Sequence, residues 1–400
     1  MDASKAHKDG VMSAAARRAV ILSGASGFAS MYVLLSVSPA VAGRQAGSVA
    51  AGATTGIFMI ATVLTQVMTP WAMRRWSTPR LLTASLLLLG VPAGLISVSL
   101  AVSTNVAAIL LVAAVRGVGF GLVTIVATSA VATLAEEGKR GAALGWYGLA
   151  TAATGIVGPA LGLALLDAWT AQVPGLVAAV LPLVGLLLIP AVARGVPTHE
   201  RATATDTPPI PWHALSKVWL PLAAFVPAAT VYGGIYTFLY LSTSNAAPLL
   251  LVFGAAFAVA RLLSGRLSDR VSPYVIIAPA GLLAAGGMAG IAMSQMLALQ
   301  SLAALVMGIG IGAIANATLS GVMSRLRADE YPVGSTAWNM AFDIGIACGG
   351  LLIGMLVAGV DYLGAYLVMA GLLLIPMGLG LLGIAGPVRS SRQPAERARH

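Results

Sequence analysis

The stretches "RGVGFGLVTIVATS" (residues 116–129) and "MGIGIGAIANATLS" (residues 307–320) decide the fold, because they are two copies of one pattern. In each copy three glycines alternate with apolar residues, and the second copy follows the first by 191 residues, from Gly117 to Gly308. A pattern that returns after such a distance predicts a duplicated structural unit. Acidic residues recur at nearly the same spacing: Glu136 and Glu137 with Asp329 and Glu330, and Asp167 with Asp361.

The composition excludes a water-soluble domain with a charged surface. Hydrophobic residues make up 58% of the 400 residues, charged residues only 9%, and the mean hydropathy is +0.91. A helix needs about 20 apolar residues to cross a bilayer, and uncharged runs of that length recur along the chain. The short alternating segments of a membrane β-barrel are missing from the sequence. The composition therefore predicts an integral membrane protein built of helices.

The apolar runs predict twelve spans, numbered 1 to 12, in an all-α membrane protein of two pseudo-symmetric six-helix bundles. The expected order is a tail (1–18), a first bundle (19–193), a Pro- and Thr-rich linker (194–216), a second bundle (217–385) and a tail (386–400). The spans are predicted near 19–41, 48–71, 80–102, 105–133, 142–166, 173–193, 217–242, 246–264, 273–294, 297–322, 333–358 and 362–385.

The positive charges predict the orientation, because short cytoplasmic loops hold an excess of Lys and Arg. Of the 23 Lys and Arg residues, Arg44 lies in an odd-numbered loop and Arg116 lies within a span, while the rest lie in the tails, the linker, the even-numbered loops or the adjacent helix ends. We therefore expect both termini in the cytoplasm and the protein in the plasma (inner) membrane. The scattered charges form no single basic face, which argues against a nucleic-acid partner.

The stretch "SGRLSDRVSP" (residues 264–273) concentrates charge in the loop after span 8. It resembles the Gly-x-Leu-x-Asp-Arg-x-Gly signature of the major facilitator superfamily, with Gly265, Leu267, Asp269 and Arg270 at the matching positions and Ser272 in place of the last glycine. The resemblance covers essentially the whole chain, since that family also has twelve spans, a central linker and a duplicated half. It implies a secondary transporter that works by alternating access.

The corresponding loop of the first half, "PWAMRRWSTPR" (residues 70–80), departs from the signature, with Pro70 at the glycine and Arg74 at the aspartate. The resemblance implies a latch between helices, and an arginine cannot accept the hydrogen bonds of its aspartate. We therefore assign the latch mainly to Asp269 and Arg270.

Three further arginines belong to the same loop region. Arg261 stands one helical turn before Gly265, and we group it with the latch. For Arg74 and Arg75 we expect either pairing with Asp329 and Glu330 or a solvated run of charge that only fixes the orientation.

The stretch "GIVGPALG" (residues 155–162) in span 5 resembles the Gly-Pro motif of proton-coupled exporters. It contains Gly158, Pro159 and Gly162, and small residues at this spacing permit close helix contact while proline favours a kink. The resemblance favours export over import, and ordinary helix packing is the alternative.

Two charged residues lie at membrane depth, where such groups are expensive and point to function. Arg116 and Asp343 are each about ten residues into a span, hence roughly 15 Å deep. Arg116 matches an arginine that the family resemblance connects with proton transfer, and a buried arginine bound to backbone carbonyls is the alternative. Asp343 is the predicted proton carrier, with Asn339 on the same helical face.

Other polar and aromatic residues are candidates for the substrate cavity. Tyr232, Tyr236 and Tyr240 follow at four-residue spacing in span 7, and we select Tyr232, since Tyr240 fits the aromatic belt at a membrane surface. Gln66 and Asn316 are further candidates.

The residues together predict proton-coupled export of a small amphipathic molecule, with protons and the lipid bilayer as further partners. Import or facilitated passage of a small metabolite is the alternative within transporters. A membrane enzyme or a sensor is the alternative from other classes, but one acid and one arginine at membrane depth are too few for an active site. The four histidines lie in the tails and linker without metal-ligand spacing, so we expect no metal. We also expect no cofactor, and we expect the transporter to be a monomer.

Overall fold

A computed structural model describes residues 3–99, 105–136, 139–195, 212–268, 270–327 and 330–385, and every regular element among them is a helix. Ten helical stretches are long and apolar enough to cross a membrane, and two of these have about twice the necessary length. The helices run over Ala3–Arg75, Thr78–Ser99, Val106–Thr133, Arg140–Ala168, Gln172–Leu187, Ile189–Gly195, Trp212–Ser242, Ala246–Ser268, Pro273–Met293, Leu297–Met323, Tyr331–Leu372 and Leu374–Ala385.

Each double-length helix is interrupted at a predicted span boundary. In Ala3–Arg75 the break lies at Ala46 and Gly47, where Gly47 takes φ 82° without the strain a side chain would cause. In Tyr331–Leu372 the break lies at Asp361 (φ 75°), whose Oδ1 accepts a hydrogen bond from the Gly364 N–H at 2.8 Å and so caps the helix that follows. Dividing the two helices there yields the twelve segments, and the all-α fold of two six-helix halves is confirmed.

The structure describes part of the predicted tail and linker. The predicted tail 1–18 is helical from Ala3 onward and continues directly into span 1. The helix of span 7 begins at Trp212, inside the predicted linker. Linker residues 196–211 and the C-terminal tail 386–400 lie outside the described residues.

The duplicated glycine pattern makes the same contacts in both halves. A Cβ on Gly117 would overlap the carbonyl oxygen of Phe58, and a Cβ on Gly308 would lie 2.6 Å from that of Phe253. Span 4 therefore packs on span 2 as span 10 packs on span 8, at a distance that only glycine permits. One turn later, Gly121 packs on Thr62 and Gly312 packs on Phe257 in the same way. Against the third helix of each half, Gly119 packs on Ser85 and Gly310 packs on Ala280.

The stretch around Pro159 packs span 5 against span 1. A Cβ on Gly158 would lie 2.6 Å from the Cβ of Tyr32, and one on Gly162 would overlap the carbonyl oxygen of Val33. The second half repeats this contact between spans 11 and 7, where Cβ atoms on Gly345 and Gly349 would overlap Ala229 and the Thr230 carbonyl oxygen. These helices are held at backbone contact, and this contact positions the residues described below.

The two halves meet along two pairs of helices, spans 2 with 11 and spans 5 with 8. Gly52 and Gly350 bring the backbones of spans 2 and 11 together, and Gly254 of span 8 faces Ile156 of span 5, with 3.3 Å from the position of its Cβ to the Ile156 Cα. We call the side of the bundle with the loop around Arg44 the Arg44 end, and the opposite side, where span 1 begins and span 12 ends, the termini end.

Polar contacts fasten the halves together at the Arg44 end. The Arg44 guanidinium donates to the Tyr240 hydroxyl at 2.7 Å, and that hydroxyl donates to Asp167. Deeper in the same region, Ser48 of span 2 donates to the Gly354 carbonyl at 2.9 Å, and the hydroxyls of Thr55 and Thr237 lie 2.9 Å apart.

Candidate functional site

Asp343 lies at the contact between the halves and is bonded across it. The Nε2 of Gln66, from span 2, donates to its Oδ2 at 2.9 Å. Both side chains are buried, with 7% of Asp343 and 5% of Gln66 exposed. Two candidates selected separately from the sequence, 277 residues apart, are therefore one hydrogen-bonded pair.

Three aromatic rings stack beside this pair, and two of them come from the same helix as Asp343. The rings of Phe225, Trp338 and Phe342 are nearly parallel, with interplanar angles of 10° to 15° and centroids 4.5 to 5.9 Å apart. The Trp338 indole N–H donates to the Thr318 hydroxyl at 3.2 Å, which fixes the ring plane. This stack makes an apolar wall between spans 7 and 11, on the turns of span 11 that lead to Asp343.

Tyr232 joins the stack to the rest of the site. Its ring centroid lies 5.2 Å from that of Phe342, 4.6 Å from that of Tyr236 and 5.3 Å from that of Phe257. Tyr232 also interacts electrostatically with Tyr32 of span 1, which belongs to the other half. Tyr32 interacts electrostatically with Asp343 as well.

Arg261, which the sequence groups with the loop latch, contacts a residue of this site; its role in a latch stays a prediction. Its guanidinium carbon lies 5.2 Å from the centroid of the Trp338 ring, a cation–π contact, and it interacts electrostatically with Tyr32 and Tyr232. The side chain points from span 8 toward spans 7 and 11. The position of Arg261 in the sequence, one turn before Gly265, therefore does not predict which helices its side chain contacts. The site thus holds one cation and one acid.

This arrangement, which we call the central site, suits a small amphipathic ligand. It combines a wall of aromatic rings, three tyrosines, one carboxyl group and one guanidinium, contributed by both halves. Apolar walls with a few convergent polar groups are typical of small-molecule sites. The members are Tyr32, Gln66, Phe225, Tyr232, Tyr236, Phe257, Arg261, Trp338, Phe342 and Asp343.

Arg116 lies apart from the central site. It is 3% exposed, and it donates from Nε to the Leu89 carbonyl at 3.1 Å and from Nη2 to the Ser30 carbonyl at 2.9 Å. Neither Asp343 nor any other described acid pairs with it. The geometry matches the alternative of an arginine held by backbone carbonyls.

The two asparagine candidates have local partners. Asn339 is exposed, and its Nδ2 donates to the Ser335 carbonyl on its own helix at 2.9 Å. Asn316 is half-buried beside span 8, where its Nδ2 lies 3.3 Å from the position of a Cβ on Gly265. Neither amide joins Asp343 in the described contacts, and their assignment to the cavity stays a prediction.

The loop predicted as the latch is described only in part. Arg270 is exposed, and its backbone N–H closes a turn on the Leu267 carbonyl at 2.9 Å. Asp269 lies outside the described residues, so its role stays a prediction. The Ser264 hydroxyl, just before Gly265, donates to the Ala313 carbonyl of span 10 at 3.1 Å and ties the end of span 8 to that helix.

The basic residues of the first loop lie at the surface. Arg74 and Arg75 are exposed, and the Arg75 guanidinium lies 4.3 Å from the centroid of the Trp71 ring. Of their predicted partners, Asp329 lies outside the described residues, and Glu330 binds the Lys217 ammonium at 2.8 Å.

The first half has its own acidic contact at this end of the bundle. Lys139 binds Glu136 at 2.6 Å, and this hydrogen bond lowers the pKa of the Glu136 carboxyl.

Sequence reasoning missed five members of the central site: Tyr32, Phe225, Phe257, Trp338 and Phe342. Trp338 and Phe342 follow at a spacing of four residues just before Asp343, which places them on one side of span 11. That spacing was a usable signal. Tyr32 gave none, because its neighbours come from spans 7 and 11 and no local pattern shows which helices meet.

The chain folds as two six-helix halves with polar and charged residues buried at the contact between them. The chain belongs to the major facilitator superfamily, whose family model matches residues 20–349. A comparison with curated proteins found no match.

Solved structures of transporters share the fold. One is a bacterial homologue of the human lysosomal transporter Spinster, in an inward-facing and occupied conformation, with 13% identity, coverage of 92% of this chain and 96% of that chain, and a TM-score of 0.75. Another is the human organic anion transporter MFSD10 (TETRAN), with 15% identity, coverage of 92% and 99%, and a TM-score of 0.61. The prediction of a major facilitator transporter is confirmed, and membrane transport is its activity.

Proposed function

We propose that this transporter exports a small amphipathic molecule in exchange for protons, and that Asp343 is the group that binds the proton. The observation that carries the proposal is the buried hydrogen bond between Asp343 and Gln66, which joins the two halves inside a wall of aromatic rings. A carboxyl group at a moving contact can exchange a proton with whichever side the cavity faces.

The hydrogen bond makes the contact between the halves sensitive to the state of Asp343. Ionised, the carboxylate accepts from the Gln66 amide, and a charge-assisted bond is stronger than a neutral one. Protonation removes that charge and weakens this bond across the halves. A substrate that donates a hydrogen bond to Asp343 binds the ionised form more tightly than the protonated form, so substrate and proton compete, which is the requirement for exchange.

The conformation supports alternating access from this site. The halves are fastened at the Arg44 end by the Arg44, Tyr240 and Asp167 contacts and by the glycines of spans 2 and 11. We infer a state that opens toward the termini end. The likeness to a transporter in an inward-facing conformation supports the same assignment.

The charge distribution supports cytoplasmic termini and residence in the plasma membrane. Arg74, Arg75 and Arg270 are exposed at the termini end, while Arg44 lies at the opposite end. With this orientation, the proposed state opens toward the cytoplasm. The resemblance of the stretch around Pro159 to the Gly-Pro motif of proton-coupled exporters is the feature that favours export.

The test is transport in proteoliposomes with an imposed pH gradient and a trapped pH-sensitive dye. A panel of cationic, anionic and neutral fluorescent amphiphiles serves as the set of substrates. We expect wild-type protein to move at least one dye against its gradient and to move protons in the opposite direction. The Asp343→Asn variant should lose this gradient-driven transport at least about tenfold.

The matched control is Glu136→Gln, which neutralises an exposed acid at a loop and should leave transport unchanged. Dye and protons moving in the same direction would contradict exchange and favour import. Full gradient-driven transport by Asp343→Asn would exclude Asp343 as the carrier.

A further inference from the structure

A second cavity lies within the first half, away from the central site. It is lined by spans 1, 2, 3, 4 and 6, is partly open, and leaves about 50 Å³ of space for the centres of water-sized molecules. Its lining on span 4 runs from Ile109 to Arg116, about 10 Å along the helix. Ala171, in the turn before span 6, is part of the lining, so the cavity extends from mid-span toward the Arg44 end.

The walls of this cavity are mostly apolar, as its members on spans 1 and 4 show. Three of the hydroxyls that line it are engaged: Thr54 donates to the Ala50 carbonyl at 2.9 Å, Ser97 donates to the Ala93 carbonyl at 2.6 Å, and the Thr55 hydroxyl lies 2.9 Å from that of Thr237. The apolar members on the two helices include Met31, Leu34, Leu35, Ile109, Val112 and Ala113.

Arg116 stands at the inner end of the cavity with part of its guanidinium unused. Its described hydrogen bonds employ Nε and Nη2, toward the Leu89 carbonyl, the Ser30 carbonyl and, at 3.3 Å, the Ser30 hydroxyl. Its Nη1 group has no hydrogen-bond partner among the described residues, and no described carboxylate balances its charge. A buried cation without a counter-charge is costly, and an anion there would relieve the cost.

We propose that this cavity binds a short-chain monocarboxylate, with the carboxylate on Nη1 of Arg116 and the hydrocarbon chain along spans 1 and 4. A narrow apolar channel with one guanidinium at its inner end matches that chemistry: the head receives a charge-assisted hydrogen bond, and the chain replaces water against apolar side chains. The cavity is separate from Asp343, so the site is independent of the proposed proton exchange.

The experiment measures binding of hexanoate to the full-length protein purified in a non-ionic detergent, by calorimetry and by the melting temperature. We expect saturable binding and a rise in the melting temperature of about 2–4 °C at saturating hexanoate. Hexanamide, which has the same shape without the charge, and sodium chloride at equal concentration should each produce less than about a quarter of that rise. An equal rise with hexanamide or with sodium chloride would overturn the proposal.

Two variants locate the site. Val112→Phe fills the channel, whereas Leu111→Phe adds the same ring on the outward face of span 4, where the residue is 66% exposed. We expect Val112→Phe to weaken hexanoate binding at least about tenfold and Leu111→Phe to leave it unchanged. Equal binding by the two would overturn the proposal.

Arg116→Gln should abolish the preference for hexanoate over hexanamide. If that variant does not fold, because it loses the bonds to Ser30 and Leu89, the pair of phenylalanine variants decides the question. Asp343→Asn should bind hexanoate as wild type does, so a failure at this cavity is distinguishable from a failure of proton exchange.

Discussion

The two contacts between the halves, spans 2 with 11 and spans 5 with 8, are related by the internal repeat but carry different chemistry. Gln66 and Arg261 occupy equivalent positions, each four residues before the first residue of its loop motif, Pro70 in one half and Gly265 in the other. One contact therefore offers an amide where the other offers a guanidinium.

Asp343 and Ile156 form the second pair of equivalent positions. Each lies two residues before a glycine that packs against the first helix of its own half, Gly345 on span 7 and Gly158 on span 1. Spans 2 and 11 therefore carry the acid and its amide partner, while the equivalent of that acid on span 5 is an isoleucine.

The comparison separates the residues that pack the bundle from the charged residues of the central site. The duplicated unit keeps the glycine contacts that build the bundle in both halves, but both charges of the central site, Arg261 and Asp343, come from the second half. Asp343 is bonded to Gln66 rather than to Arg261, which leaves the carboxyl group free to exchange a proton. The glycine contacts between helices are the same in both halves, whereas the charged residues of the central site come from one half only.

The shared packing can be broken in either half, and here we expect the largest effect. Leucine at Gly162 or at Gly349 would meet a backbone carbonyl, which cannot move aside as a side chain can. Overpacking of this kind costs about 1–3 kcal/mol or more. We expect both variants to melt at least about 5 °C lower or to aggregate in size-exclusion chromatography. Gly145→Leu is the control, since a Cβ there has nothing within 4 Å, and an equal melting temperature for all three would refute the symmetric packing.

The asymmetry can be removed by giving the first half its own acid. Ile156→Asp places a carboxylate at the position equivalent to Asp343, where it can pair with Arg261 and hold spans 5 and 8 together. We expect a loss of transport of about tenfold, because a buried ion pair is strongly coupled and slow to separate. Ile156→Asn is the neutral control, and the loss should be at most about threefold. If the two variants transport equally, Arg261 does not face span 5.

Substitutions in the corresponding loops compare the two halves with a smaller expected loss of transport. Asp269→Asn should impair transport by about fivefold, because the second loop keeps the acid that the family pattern expects. Arg74→Ala should reduce transport by less than about twofold, since its loop has lost that acid. Both are measured as initial rates in proteoliposomes. The reverse order would assign the latch to the first half.

The smallest effect is expected at the Arg44 end. Arg44→Gln removes the guanidinium that donates to Tyr240, and an exposed contact of this kind contributes about 1 kcal/mol or less. The labelling rate of a cysteine introduced at Thr55, in a Cys348→Ser background, should rise by at most about fivefold as the halves separate more often. Arg80→Gln, exposed at the termini end, is the control and should leave the rate unchanged.

The spans and the repeat could be predicted because the bilayer and the packing of the helices restrict which residues the sequence can contain at those positions. A bilayer demands apolar runs of fixed length, and the breaks at Gly47 and Asp361 appear as short interruptions of those runs. Asp343 and Gln66 stood out because polar side chains at that depth are costly.

The direction of a side chain was not predictable from its place along the chain. Arg261 lies one turn from a loop, yet its guanidinium packs on Trp338. Tyr32 has no local signal, since its partners come from helices about 200 and 300 residues away in sequence. Which helices meet is set by the glycine contacts, and these become informative only after the bundle is assembled.

Proton release on substrate binding tests the central claim most directly. Purified protein in weakly buffered detergent solution is mixed with the dye that proteoliposomes transport best, and a pH indicator reports the protons released. We predict up to one proton per dye bound for wild type, with a maximum at the pH where Asp343 is half protonated, and none for Asp343→Asn at equal occupancy. Equal proton release by both proteins would contradict the assignment of Asp343 as the proton-binding group.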